Sequence, residues 1–303
     1  MKKILVVGSL AYDSIETPRG KVEKTLGGSA NYFSVAASLF APVRVVGVVG
    51  EDYAETDLSL LRNRQVDTSG MMKAKGKTFH WEGCYEGDMN EAKTLKTELN
   101  VFEHFNPELP ENYRSSEFVF LANIHPALQT QVLNQVKAPL FVGSDTMNLW
   151  INLFREDLLK VLGRVHTLLI NEGEAKLLTG AANAVAAAST ILQMGPKFVV
   201  IKRGEYGFLM FGPEGYFMLP AVPVSDVVDP TGAGDTFAGG FFGYLASKTE
   251  GAITTQDLKW ACIHGSVMAS FTVQGFGLSA LSKVTRQDLE TRLSLFEQAT
   301  MHP

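Results

Sequence analysis

The chain has 303 residues, 46% of them hydrophobic and 19% charged, enough to bury a sizeable core as one large α/β domain or two smaller ones. A formal net charge of −5, with no long basic run, argues against a nucleic-acid partner, and no stretch reaches the ~18 apolar residues of a membrane span. Cys84 and Cys262 are too few and too far apart for a disulfide framework or a zinc site, so a reducing, cytoplasmic setting is expected.

In chain order, KKILVVGSLAY reads as a buried strand, with Asp13 just past its apolar part. The opening carries the charge of a signal peptide, but its apolar run is short and lacks a convincing cleavage site. SIETPRGKVEKT reads as a hairpin turning at Pro18, Arg19 and Gly20. Gly27 and Gly28 then precede an apolar helix over about 29–40, followed by a strand at RVVGVVG and a helix over 58–65. Residues 75–100 break this rhythm with short strand-like pieces. Phe79, Trp81 and Tyr85 alternate onto one face there, and His80, Glu82 and Glu86 onto the other. Together with the hairpin at 14–25, this segment is expected to form a small β lid.

From Phe118 onward the alternation is regular. Strands at FVFLANI, PLFVGSD, TLLIN and KFVVIK alternate with helices over 126–136, 149–163, 172–179 and 184–194. A hairpin turns around Gly212–Gly215, VVDPTGAGD is expected to return to the sheet, and helices follow over 236–247, 256–273 and 285–298. The pattern predicts an α/β fold with a mostly parallel central sheet covered by helices on both faces.

The most informative stretch is DPTGAGDTFAGG, 229–240. Pro230 biases Asp229 to extended geometry, and Gly232, Ala233 and Gly234 let backbone approach a ligand before Asp235 opens a helix. A helix N-terminus with unpaired N–H groups suits phosphate or a transferring phosphoryl group. A carboxylate beside such an anion hole repels its ligand unless it has a task, and taking the proton of an attacking hydroxyl is one. This reading makes Asp235 a general base. The glycines in the following helix, Gly239, Gly240 and Gly243, each cost about 1 kcal/mol against alanine, which close packing beneath the site would explain. Asp13, Asn123, Asp145, Asn171, Lys202 and Asp229 are all expected at carboxyl ends of strands, where open parallel sheets bind ligands. Asp145 and Asn148 follow one such strand within reach of acceptor hydroxyls.

DPTGAGDTFAGG resembles the C-terminal signature of the ribokinase family, also called the PfkB carbohydrate and nucleoside kinases, and the similarity runs from Asp13 to beyond Gly277. The resemblance implies a ribokinase-like three-layer sandwich in one domain over 1–303, with ATP and Mg2+ as cofactors. It gives Asp235 the role of base and assigns the amides of Gly232, Ala233 and Gly234 to the transferred phosphate. It further implies that Asp13 binds sugar hydroxyls and that Gly27 and Gly28 form the lid hinge and substrate floor. The NEGE run matches the family's Asn-x-x-Glu motif, so Asn171 and Glu174 would organise magnesium and phosphates, mostly through water; a capping box between the same two residues is the competing reading. KRGEYG places Lys202, Gly204 and Gly207 in the turn beside the nucleotide phosphates, and Asp229 at a position that holds a monovalent cation, potassium, in many members. His264 falls near where relatives place the adenine. The usual acceptor Asn is replaced by Tyr32, and Asn31 lies one residue early, a rotation of about 100° on a helix.

The expected activity is ATP-dependent transfer of a γ-phosphoryl group to a hydroxyl of a small carbohydrate. A nucleoside kinase of the same fold is the nearer alternative, and a non-catalytic nucleotide or metabolite sensor the farther one. The lid's aromatic face also admits a homodimer clasped through the lids. A dinucleotide dehydrogenase and a P-loop kinase are disfavoured, because neither GxGxxG after the first strand nor GxxxxGK[ST] occurs.

Overall fold

A computed structural model describes residues 2–90, 92–248 and 251–300; residue 91, inside the expected lid segment, lies outside them. The main sheet begins with β1 (Ile4–Val7), which is wholly buried. Its alternation feeds two cores: Ile4 and Val6 join one apolar cluster, Leu5 and Val7 the other. A strand covered on both faces reads as a continuous apolar run for this reason.

Around β1 the sheet adds β4 (Val43–Val49), β5 (Asp67–Lys73), β8 (Phe118–Leu121), β9 (Phe141–Ser144), β10 (Thr167–Asn171), β11 (Phe198–Lys202), β12 (Phe208–Gly212) and β13 (Gly215–Leu219). The order is β13-β12-β11-β10-β9-β8-β1-β4-β5, parallel from β5 to β11 and antiparallel only at the β12–β13 hairpin edge. One face packs α1 (Ser29–Ala37), α8 (Ala233–Lys248) and α9 (Thr255–Thr272). The other packs α3 (Pro126–Leu133), α4 (Asn148–Leu153), α5 (Arg155–Leu162), α6 (Glu172–Thr179) and α7 (Ala184–Gln193). Helices α2 (Glu55–Asn63) and α10 (Arg286–Thr300) complete the chain.

The lid is a second sheet, ordered β3-β2-β6-β7, of β2 (Ala11–Thr17), β3 (Gly20–Gly27), β6 (Phe79–Tyr85) and β7 (Ala92–Glu98). It is wider than the expected 14–25 and 75–100 at its first hairpin, because pairing continues from Ala11↔Gly27 down to Thr17↔Gly20.

Four further expectations are corrected. The segment VVDPTGAGD does not return to the sheet: Pro220 and Pro223 precede it and offer no ladder N–H, and Val228 and Asp229 instead donate to the Val273 carbonyl at 2.7 and 3.3 Å. Strand β5 was not expected. The expected helix over 149–163 is broken at Phe154 (φ −132°, ψ 36°), whose ring packs edge-on against His125 at 4.2 Å. Asp13 is not at the end of β1 but in the middle of lid strand β2, opposite Thr25 and Trp81.

The close packing expected beneath the glycine-rich helix is present. A Cβ on Gly239 would come 2.5 Å from the Phe33 carbonyl, on Gly240 2.8 Å from the His264 carbonyl, and on Gly243 2.7 Å from the Phe40 ring. These glycines let α8 lie against α1 and α9, which fixes where its N-terminus points. Among the described residues no single helix is long and apolar enough to cross a membrane.

Candidate active site

The N-terminus of α8 is the centre of the site. Gly232 has φ +75°, a left-handed backbone suited to glycine, and any Cβ there would overlap the Tyr32 ring. Ala233 N–H donates to the Pro230 carbonyl at 3.1 Å, so of the three expected anion-hole amides this one is already engaged. Among the described residues the Gly232 and Gly234 amides have no acceptor and remain available to an anion.

Asp235 follows directly, and its carboxyl pKa is pushed up to about 7, by burial first and then by the charge of Asp145, against the pull of Lys202. Two groups of residues meet at this carboxylate. On one side stand Asp145, Lys202 and Glu174. Lys202 ends β11 and places its Nζ 3.3 Å from Asp145 Oδ2, and a Cβ on Gly234 would lie 2.8 Å from that Nζ. The ammonium therefore borders the free amides. Burial works against its charge, yet Asp145, Glu174 and Asp235 together hold its pKa above the usual lysine value.

Glu174 and Asn171 form the capping box: Asn171 N–H donates to Glu174 Oε2 at 3.1 Å, and Glu174 N–H to Asn171 Oδ1 at 2.7 Å. The same Glu174 carboxyl, raised by burial and by Asp145, feels both Lys202 and Asp235, so the cap also aims it at the site. Among the described residues no cluster of three side chains forms a ready metal cage. Three carboxyls around one ammonium do fit a hydrated divalent cation that completes its shell with water and phosphate oxygens.

On the other side stand Asp13, Asp229, Tyr32 and Tyr85. Asp13 is buried over Gly27, where a Cβ would overlap its carboxylate, and it accepts the Gly28 N–H. Burial, Asp229 and Asp235 push its pKa up to about 7. Gly28, at φ +89°, caps α1 where a Cβ would come 2.6 Å from the Ser9 carbonyl. Asp229 is fully buried, accepting from Thr231 N–H at 2.8 Å and Gly277 N–H at 3.0 Å, and burial raises its pKa. Its carboxylate is thus anchored by backbone, with lone pairs to spare.

Not every expected residue converges here. Asn31 donates to the Gly27 carbonyl at 2.6 Å and accepts from Tyr53 Oη at 3.3 Å, so the one-residue shift commits its amide to the helix start and not to a ligand. Asp145 sits with Lys202 and the phosphate-side residues, not beside Asp13 among the acceptor residues. Asn123 is held by Trp150 and Met147, and Asn148 is exposed at the start of α4. Arg203 is paired with Glu172 at 2.7 Å. Gly204 (φ +55°) and Gly207 (φ +84°) shape the turn after β11, and the lid residue Asn90 closes over Gly204. His264 is buried between α8 and α9, stacked on Tyr244 at 4.2 Å, with its pKa lowered to about 4 by burial.

Of the aromatic lid face, Phe79 stacks on Phe102 and Trp81 bonds Thr94 within the lid. Tyr85 alone of these three reaches the site, its Oη accepting from Thr231 Oγ1 at 3.2 Å. The sequence reading missed Tyr32 as a site residue. Its signal was present: a tyrosine at the family's Asn position, one helical step past Asn31.

Comparison with known proteins agrees with this geometry. The profile described as pfkB family carbohydrate kinase matches residues 1–285. The cytidine kinase of Thermococcus kodakarensis is 33% identical over 256 residues, 82% of this chain and 90% of that protein. The ribokinase of Bacillus subtilis is 27% identical across 97% of this chain and all of its own length. Among solved structures, aminoimidazole riboside kinase from Salmonella enterica, complexed with aminoimidazole riboside and an ATP analog, superposes with a TM-score of 0.76 at 20% identity, covering 96% of this chain and 99% of that one. A putative ribokinase II from E. coli in complex with ATP and Mg2+ reaches 0.79 at 18% identity, covering 97% and 100%. Fold, site and profile agree, and the chain belongs to the pfkB family of carbohydrate kinases.

Proposed function

We propose that this enzyme transfers the γ-phosphoryl group of ATP to a primary hydroxyl of a small sugar or of a nucleoside's sugar. The observation that carries this reading is the N-terminus of α8, where the unengaged Gly232 and Gly234 amides stand beside the Lys202 ammonium and directly precede Asp235. Asp235 takes the proton of the attacking hydroxyl. The Gly232 and Gly234 amides and the Lys202 ammonium stabilise the charge that develops on the transferring group. Asp13, over its Gly27–Gly28 floor, binds non-reacting hydroxyls of the acceptor.

Glu174 and Asn171 would hold the waters of a magnesium ion bound with the nucleotide, which would screen the phosphate charge, and the turn at Gly204 and Gly207 would flank the phosphates. Asp229, buried and anchored by two N–H groups, is assigned to a monovalent cation site, potassium in the intracellular milieu. The free thiols of Cys84 and Cys262 support a cytoplasmic location. The unpaired, exposed edge of β7 supports assembly of two copies through their lids.

The nucleoside reading of the acceptor is favoured by the 33% identical cytidine kinase. Purified protein with ATP and Mg2+, offered ribose, fructose, inositol, cytidine, adenosine and inosine, tests it. ADP release that depends on one of these acceptors supports the proposal, and release indifferent to all of them contradicts it.

A further inference from the structure

Gln129, on α3, is a polar side chain only 1% exposed. Its Nε2 lies 3.3 Å from the Leu121 carbonyl, 3.1 Å from that of Ala122 and 3.2 Å from that of Asp145. Carbonyl oxygens only accept, so the group facing them is the NH2, whose two hydrogens serve all three. Its Oε1 is buried without a partner among the described residues. A polar side chain with one atom left unpaired is a costly way to fill space, and what this one supplies in return is a grip on two strand ends.

Strand β8 ends at Leu121 and β9 at Ser144, so Ala122 and Asp145 each stand one residue beyond a strand, at the carboxyl ends where open parallel sheets bind ligands. The Asp145 N–H still donates to the Leu121 carbonyl at 3.0 Å, and Gln129 then ties the Asp145 carbonyl to the same β8 end. From Asp145 the path to the anion hole is short. Its Oδ1 accepts the Thr146 N–H at 2.8 Å, and its Oδ2 faces Lys202 Nζ at 3.3 Å. That Nζ borders Gly234 at the start of α8. With its backbone gripped from α3 and one oxygen fixed by Thr146, the carboxylate is left one direction for the other oxygen, towards Lys202.

We propose that Gln129 is a positioning residue: by holding the Asp145 backbone to the end of β8 it fixes the Asp145 carboxylate, and through it the Lys202 ammonium, beside the open amides of α8. This rests on the kinase reading above, in which Lys202 stabilises charge on the transferring group. It deepens that reading by adding a residue that acts from behind the sheet ends. A merely structural Gln129, one that only docks α3, would affect stability and leave the Asp145–Lys202 pair as it is.

The test is a double-variant cycle in which Gln129→Met, similar in length but lacking the amide, is made in wild type and in Lys202→Met. Both are assayed with ATP, Mg2+ and whichever of the six acceptors named above supports ADP release. In wild type, Gln129→Met should lower kcat by about 10–10²-fold, the loss that a displacement of roughly 1 Å brings. In Lys202→Met there is no ammonium left to position, so the same substitution should change kcat by less than about twofold. The melting temperature should fall in both backgrounds, because the carbonyls lose their donor in each. Should Gln129→Met not fold, Gln129→Glu, of the same shape, enters the cycle under the same criterion. The ligand-free crystal structure of the variant reads the geometry directly: the Asp145–Lys202 pair should open beyond hydrogen-bond distance.

A wild-type kcat in the Gln129 variant, an equal loss of kcat in the two backgrounds, or an Asp145–Lys202 pair that stays closed overturns the proposal. ADP release by wild type that is indifferent to every acceptor would instead count against the kinase reading, and the crystal structure would still decide whether Gln129 sets the Asp145–Lys202 pair.

Discussion

The Lys202 ammonium lies 3.3 Å from Asp145 and borders the first turn of α8 at Gly234, so a cation from the end of β11 stands beside the amides that open α8. Its position ties two effects together. Lys202→Met should lower kcat by about 10²–10³, the usual loss when one preorganised donor to developing charge is removed. It should also lower the melting temperature, because Asp145, Glu174 and Asp235 then share a partly buried space without a counter-ion. Adding Asp145→Asn should restore part of the melting temperature but not kcat. Steady-state ADP release and thermal unfolding of the single and double variants measure both.

The raised carboxyls give activity and stability opposite pH trends. As the proposed base, Asp235 must be ionised to take a proton, and its carboxyl is pushed up to about 7 in the ligand-free protein. The expected kcat/KM therefore rises roughly tenfold per pH unit below that value and levels off above it. For folding, Asp13 and Asp235 each bind a proton more tightly in the folded chain than in the unfolded one, where a carboxyl titrates near 3.9. Stability therefore falls as pH rises from roughly 4 to 7, and the loss is complete above the folded values. Ligand-free protein should melt at a lower temperature at pH 8 than at pH 5.5. Asp13→Asn and Asp235→Asn should raise the melting temperature most at pH 8 and least near pH 5.

The two free amides differ in what surrounds their Cα atoms. Gly232→Ala puts a side chain at φ +75° and into the Tyr32 ring, and is expected to destabilise by about 1–3 kcal/mol or more. That corresponds to a fall in melting temperature of roughly 2–4 °C per kcal/mol for a chain of this class. Gly234→Ala meets only the end of the Lys202 side chain and not a ring or backbone, so its melting temperature should fall less while its kcat still drops. If the two variants melt alike, the account of Gly232 is wrong.

The lid is tied to the loop before α8. Thr17 Oγ1 donates to the Val228 carbonyl at 2.9 Å, and Tyr85 Oη meets Thr231 Oγ1. Arg19 and Asp226 are 2.7 Å apart, but both side chains are more than half exposed (54% and 59%), so this pair should contribute little. Thr17→Val should increase acceptor-independent ATP hydrolysis relative to transfer, since a looser lid admits water. Arg19→Ala should leave that ratio within error. Parallel assays of ADP and phosphorylated acceptor report it.

Most of the fold was legible because its signals are local and periodic. The buried run ILVV, the strand–helix alternation from Phe118 to Lys202, apart from the break at Phe154, and the Pro-Arg-Gly turn appear where the residues put them. The glycines of α8 also announced the tight packing that aims its N-terminus. What was not legible depended on non-local geometry. Asp13 reads as the end of β1, and only pairing with Thr25 and Trp81 makes it a lid residue. Strand β5 is half-polar and lies at the sheet edge, which weakens its pattern. The fates of Asn31, Ala233 and Arg203 turn on hydrogen bonds to Gly27 and Tyr53, to Pro230, and to Glu172 that no spacing rule specifies.

The central claim is that Asp235 is the base that accepts the acceptor's proton beside the open amides of α8. The most direct test is single-turnover phosphoryl transfer by Asp235→Asn, alongside calorimetric titration of the same protein with ATP and Mg2+. The account predicts a fall in the transfer rate of about 10²–10⁴, with nucleotide affinity within a few-fold of wild type and the pH dependence near 7 abolished. A transfer rate equal to wild type in that variant would contradict it.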